Sequence, residues 1–142
     1  MTHKPYILLF TLALSGCETI QPDAVTTMSR RMDVAYDAAR QYAARGHSEV
    51  VTLHGPSMTG LINDGDVIVV DRDYPYASLK AGDVVQFANP NAREGSTVHM
   101  LYDCGSRGWR TYGVANWTID SRPMTEREYM GKVTLIIHMT KE

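Results

Sequence analysis

Gly55-Pro56-Ser57-Met58-Thr59-Gly60, followed by Leu61-Ile62-Asn63-Asp64-Gly65-Asp66-Val67-Ile68-Val69-Val70, is the stretch on which both fold and chemistry turn. Gly55 and Pro56 mark a bend between two short β-branched runs, Val50 to Leu53 and Val67 to Val70, so the pattern predicts strand, turn, strand. A serine at such a bend is exposed and held in place. Its hydroxyl is a weak nucleophile until a base takes the proton. The hexapeptide alone therefore also fits a plain surface turn, and a base has to be sought elsewhere in the chain.

Downstream, further short runs rich in β-branched and aromatic residues follow: Val84 to Phe87, Val98 to Tyr102, Trp109 to Tyr112 and Val133 to Ile137. Gly, Asp, Asn or Pro clusters separate them. No helical pattern long enough for a parallel crossover lies between, which predicts mainly antiparallel pairing. The expected body, residues 47–142, is a mainly β domain: a compact antiparallel barrel-like sheet or sandwich. Gly65-Asp66 and Gly82-Asp83 each stand just before a strand. There the glycine supplies a turn and the aspartate accepts backbone N–H groups, a structural role.

Upstream, Met28, Met32, Ala35, Tyr36, Ala39 and Ala43 recur at helical spacing, with Arg30, Arg31, Asp33, Asp37 and Arg40 opposite them. This predicts one amphipathic helix over 28–46, with Thr26 or Thr27 at its start and Gly46 at its end, packed on the body of the domain. Residues 17–27 are polar around Pro22 and read as a tether.

The first sixteen residues differ in kind. Lys4 supplies a positive start, and Ile7 to Leu14 form an apolar core too short to span a bilayer, which reads as a secretion signal. Its end, Leu14-Ser15-Gly16-Cys17, resembles the lipobox of bacterial lipoproteins. That resemblance implies cleavage before Cys17 and acylation of Cys17, and several acyl chains anchor a protein stably. Glu18 after the cysteine points to the periplasmic side of an outer membrane. With Cys17 lipidated, Cys104 has no partner for an internal disulfide and reads as an exposed thiol of a hairpin turn.

The 142 residues suffice for one domain. With 44% hydrophobic and 21% charged residues the composition is that of a globular protein. The net charge of -2 and the lack of a basic stripe argue against a nucleic-acid partner. They also leave membrane attachment to the acyl chains.

The order of these features resembles the signal peptidase I and LexA-type serine peptidases. The resemblance runs through Gly55-Pro56-Ser57-Met58, Gly65 to Val70, Tyr76 to Leu79, Gly82 to Phe87, Val98-His99, Gly113 to Asn116, Asp120 and Gly131-Lys132-Val133. It spans roughly residues 50–137 and implies that Ser57 is the nucleophile. Common members use a lysine base, but this chain has no lysine between Gly82 and Lys132, and His99 matches the branch in which histidine serves. Asp120 matches that branch's later aspartate; Asp103 is a rival near His99, and His54 a rival to His99 near Ser57.

A neutral imidazole takes a serine proton near neutral pH, and a carboxylate behind it fixes the tautomer and stabilises the imidazolium. Gly55 and Met58 shape the turn that offers the Ser57 N–H to an oxyanion. No cofactor or metal is implied. The reading is a membrane-anchored serine endopeptidase acting on an extended peptide of an exported or dedicated protein substrate. Gly60, Met100 and Ala115 depart from the family's pattern. They motivate an alternative, a non-catalytic envelope lipoprotein that binds peptide or protein. Self-cleavage of the LexA kind is a third reading.

Overall fold

The computed structural model of the chain describes residues 26–30 and 32–139. The signal segment, Cys17 and all of the tether before Thr26 lie outside the described residues. The described residues form seven strands and one helix: β1 (Thr26–Arg30), α1 (Met32–Ala43), β2 (Ser48–Thr52), β3 (Val67–Asp71), β4 (Val84–Ala88), β5 (Ser96–Gly105), β6 (Gly108–Tyr112) and β7 (Tyr129–Met139). All six strands expected downstream of the helix are present. A short 3-10 turn, Tyr76–Ser78, sits between β3 and β4.

The strands form one sheet in the order β2-β3-β7-β4-β5-β6, antiparallel throughout this path. The expected closure into a barrel is not made, because β2 and β6 end the path without pairing to each other. The final strand holds the sheet together. One edge of β7 takes β3; the other takes β4 along Tyr129 to Lys132 and β1 along Leu135 to Met139.

This arrangement corrects the expected helix start. Beyond Lys132, β4 no longer covers that edge of β7, and Thr26 to Arg30 add there as a parallel strand. The backbone groups left open by β4 thereby find partners. The helix begins only at Met32, so Thr26 and Thr27 are strand residues rather than caps, and Met28 is not on the helix. Its buried stripe is Ala35, Ala39 and Ala43, which lets α1 lie close against Val67, Val69, Leu135 and Ile137. Met32, expected on that face, is 65% exposed.

Two more apolar clusters fill the body. Leu53, Met58, Ile62, Ile68, Val70, Val84, Val98, Val133 and Ile136 form one. Leu79, Val85, Phe87, Leu101, Trp109 and Met124 form the other. Burying each such side chain contributes roughly 1.5–3 kcal/mol. Both Gly-Asp pairs have the structural role read from the sequence. Asp66 accepts the Asn63 N–H at 2.8 Å and the Met139 N–H at 2.9 Å. Asp83 accepts the Lys80 N–H at 2.9 Å and meets Lys132 Nζ at 3.0 Å.

Candidate active site

The connection from β2 to β3 presents Ser57. The Thr59 N–H bonds the Pro56 carbonyl at 3.0 Å, closing a tight turn with Ser57 and Met58 at its centre. Met58 is wholly buried in the core while Ser57 is exposed, so packing of the methionine fixes where the hydroxyl stands. Gly55 and Gly60 flank the turn at φ 106° and 103°, a region that disfavours side chains. The central N–H groups of a β-turn point away from the turn's own hydrogen bond. Those of Ser57 and Met58 donate to no group among the described residues.

The second wall comes from the far half of the sheet. His99 lies in β5, buried, edge-on to Phe87 with ring centroids 6.2 Å apart. Its Nδ1 bonds Asp120 Oδ2 at 2.7 Å. Asp120 is docked beside β6: its N–H bonds the Thr111 carbonyl at 2.8 Å, and the fully buried Thr111 hydroxyl donates to Oδ2 at 2.5 Å. Partial burial works to raise the carboxyl's pKa. The hydrogen bonds from His99 and Thr111, with the charge of His99, outweigh it and hold Asp120 below the usual carboxylate range. With Nδ1 engaged, the other ring nitrogen, Nε2, is the one left for Ser57.

Gly113 marks where the two walls meet. A Cβ placed there would stand 2.6 Å from the Ser57 carbonyl oxygen, 3.1 Å from Ser57 Cβ and 3.3 Å from His99 Nε2. Ser57 and the imidazole therefore both border a position that only a glycine leaves open, although no hydrogen bond joins the Ser57 hydroxyl to His99 among the described residues. The loop after Gly113 is pinned to the same turn, since the Ala115 N–H bonds the Ser57 carbonyl at 3.0 Å. Trp117, at φ 55° and 71% exposed, stacks on Tyr112 at the outer side of this loop.

The rivals are drawn elsewhere. Asp103 is engaged by Arg110, whose Nε reaches its Oδ1 at 2.5 Å. His54 turns toward Asp64, 3.8 Å away, and Asp64 also accepts the Gly55 N–H at 2.9 Å. Lys132 lies on the same cross-strand row as Val85 and His99, but its ammonium is buried against Asp83 and over the Tyr74 ring. Cys104 is exposed, as expected, although it lies on β5 opposite Trp109 and not in the turn itself.

A cleft of about 850 Å³ opens onto Ser57 and His99. It is lined by Val51 to Ser57 on one side and by Ser96 to His99, with Asn89 and Ala92 to Glu94, on the other. β2 pairs only with β3, and β6 joins β5 only from Met100 onward. Two strand segments thus border the cleft with an edge that carries no strand partner among the described residues.

Sequence reasoning named Ser57, His99 and Asp120; the structure hydrogen-bonds His99 to Asp120 and sets Ser57 and His99 on either side of Gly113, without a hydrogen bond between them among the described residues. It did not single out Thr111, which braces Asp120, nor the space requirement at Gly113. A threonine in a short strand carries no local signal of such a role. Gly113 directly after the Trp109 to Tyr112 run was the available hint. Among the described residues no cluster of three or more His, Cys, Asp or Glu could hold a metal ion, and no helix is long and apolar enough to cross a membrane. No protein-family model matches the sequence, and neither a curated protein nor a solved structure is significantly similar to it.

Proposed function

We propose that the chain is a serine endopeptidase of the signal peptidase I and LexA type, held at a bacterial membrane by lipid on Cys17. The observation that carries this reading is the Asp120–His99 hydrogen bond together with the nearness of both Ser57 and His99 Nε2 to Gly113. His99 Nε2 takes the Ser57 proton as the oxygen attacks the scissile carbonyl, and Asp120 stabilises the imidazolium so formed. The Ser57 N–H, with that of Met58, faces the oxyanion of the tetrahedral intermediate. His99 then returns the proton to the leaving amine, and water repeats the sequence to release the acyl group.

The substrate is an extended segment of an exported or dedicated protein, lying as an added strand along β2 and the first half of β5. Main-chain hydrogen bonds to the two open edges would supply affinity, with side chains seated in the cleft between them.

Protein lacking residues 1–16 is expected to cleave Ala-x-Ala peptides. Ser57→Ala and His99→Ala are expected to lower kcat by about 10³-fold or more. Full cleavage in both variants would end the proposal. In bacteria carrying the full chain, Cys17→Ala should move it from the membrane fraction to the soluble one. If it remains in the membrane fraction, the lipid anchor is wrong.

A further inference from the structure

Gln86 is out of character with its surroundings. It sits in the middle of β4, opposite Val98 of β5 and Gly131 of β7, and is only 6% exposed. Its Nε2 donates to Ser96 Oγ at 3.0 Å, but its Oε1 is enclosed and accepts from no group among the described residues. A buried carbonyl without a donor is destabilising, and native folds rarely keep one without a use. Leucine or methionine would fill the same position beside Val84 and Val98 with no polar group to satisfy.

The location gives the amide a use. Gln86 borders the cleft that ends at Ser57 and His99, and its cross-strand neighbour Val98 directly precedes His99. A peptide seated for attack by Ser57 would pass over it. We infer that Gln86 is a specificity residue, whose amide turns toward the cleft when substrate enters and hydrogen-bonds a neutral donor side chain close to the cut bond: serine, threonine, asparagine or glutamine.

An ammonium or guanidinium is disfavoured, because Val51, Leu53 and Val98, which line the same cleft, would strip it of water and a carbonyl returns only a partial charge. Hydroxyl and amide side chains carry both donor and acceptor, so they satisfy Gln86 whichever end of its amide faces the cleft. An aliphatic side chain satisfies neither end. This inference rests on the peptidase reading but fails separately from it.

The test is a positional scan of peptides built on an Ala-x-Ala core, read in two ways. For cleavage by the otherwise native chain, one position near the cut should favour Ser, Thr, Asn or Gln over Ala or Val by about tenfold or more in kcat/KM. Gln86→Met should erase or invert that preference at that position alone. For binding, Ser57→Ala protein on an array of the same peptides should show the same preference without any cleavage, and Gln86→Met in that background should lose it. Both Gln86→Met and Gln86→Leu should melt a few degrees higher than the parent, since the unsatisfied carbonyl is gone. No donor preference on the array, a preference unchanged by Gln86→Met, or a lower melting temperature in both variants overturns the inference. Cleavage that survives Ser57→Ala instead sinks the peptidase reading and leaves the array result standing.

Discussion

Gly113 and Asp120 set the tolerance of the site. A methyl group at 113 meets a carbonyl oxygen of the backbone, which cannot swing aside as the end of a flexible side chain would. Gly113→Ala is therefore expected to push the Ser57 turn away from His99 and to lower kcat by about 10²-fold. Steady-state kinetics beside a thermal melt would check this; full activity would show that the turn and imidazole do not depend on close approach. Asp120→Asn keeps the shape but can hold the wrong tautomer of His99, with an expected loss of about 10²–10⁴-fold in kcat. The same residue gives a pH signature. Its carboxyl is held low in the fold, so the stability it contributes is complete above the ordinary aspartate value near about 4 and is lost as pH falls through the lower folded value. Denaturation measured across that acid range should fall more steeply for the native chain than for Asp120→Asn. That Ser57, His99 and Asp120 stand near one another was legible in the sequence because each sits in a short motif whose order along the chain carries information. Thr111 and Gln86 were not, because a hydroxyl braced behind a carboxylate and an amide with one free end are defined by neighbours far away in sequence.

At the scale of elements, the period of apolar residues located every core strand, and the boundaries moved by only a few positions. The helix was harder. Residues 28–31 continue a plausible helical pattern, and nothing local says that the edge of β7 beyond Lys132 stands open for them. Nor does local patterning reveal that the sheet stays open, since closure depends on whether two edge strands meet. The face of α1 was read correctly at its centre, where alanine sets how near the helix lies to β3 and β7. Ala39 is fully buried, and Ala39→Leu is expected to cost about 1–3 kcal/mol by overpacking. Chemical denaturation would register this as a lower midpoint with the slope unchanged. A midpoint that holds or rises would show α1 to be loosely seated.

At the scale of the whole molecule, the candidate site is divided between two groups of strands that share no strand pairing with each other. Ser57 lies between β2 and β3, while His99 and Asp120 belong to the β4, β5 and β6 half; β7, which supplies none of the three, pairs with both. A chain ending before Tyr129 is expected to lose reaction with a serine-directed acylating probe, measured beside the full chain by mass spectrometry. Equal labelling would show that the halves associate without the strand between them. The order of synthesis then bears on when the candidate site can form. Ser57 and His99 are both synthesised well before β7, the strand that joins their halves, so on the proposed peptidase reading the growing polypeptide would be made with its candidate site still unassembled. On that reading, the power to cut would arrive only with β7, the last strand among the described residues.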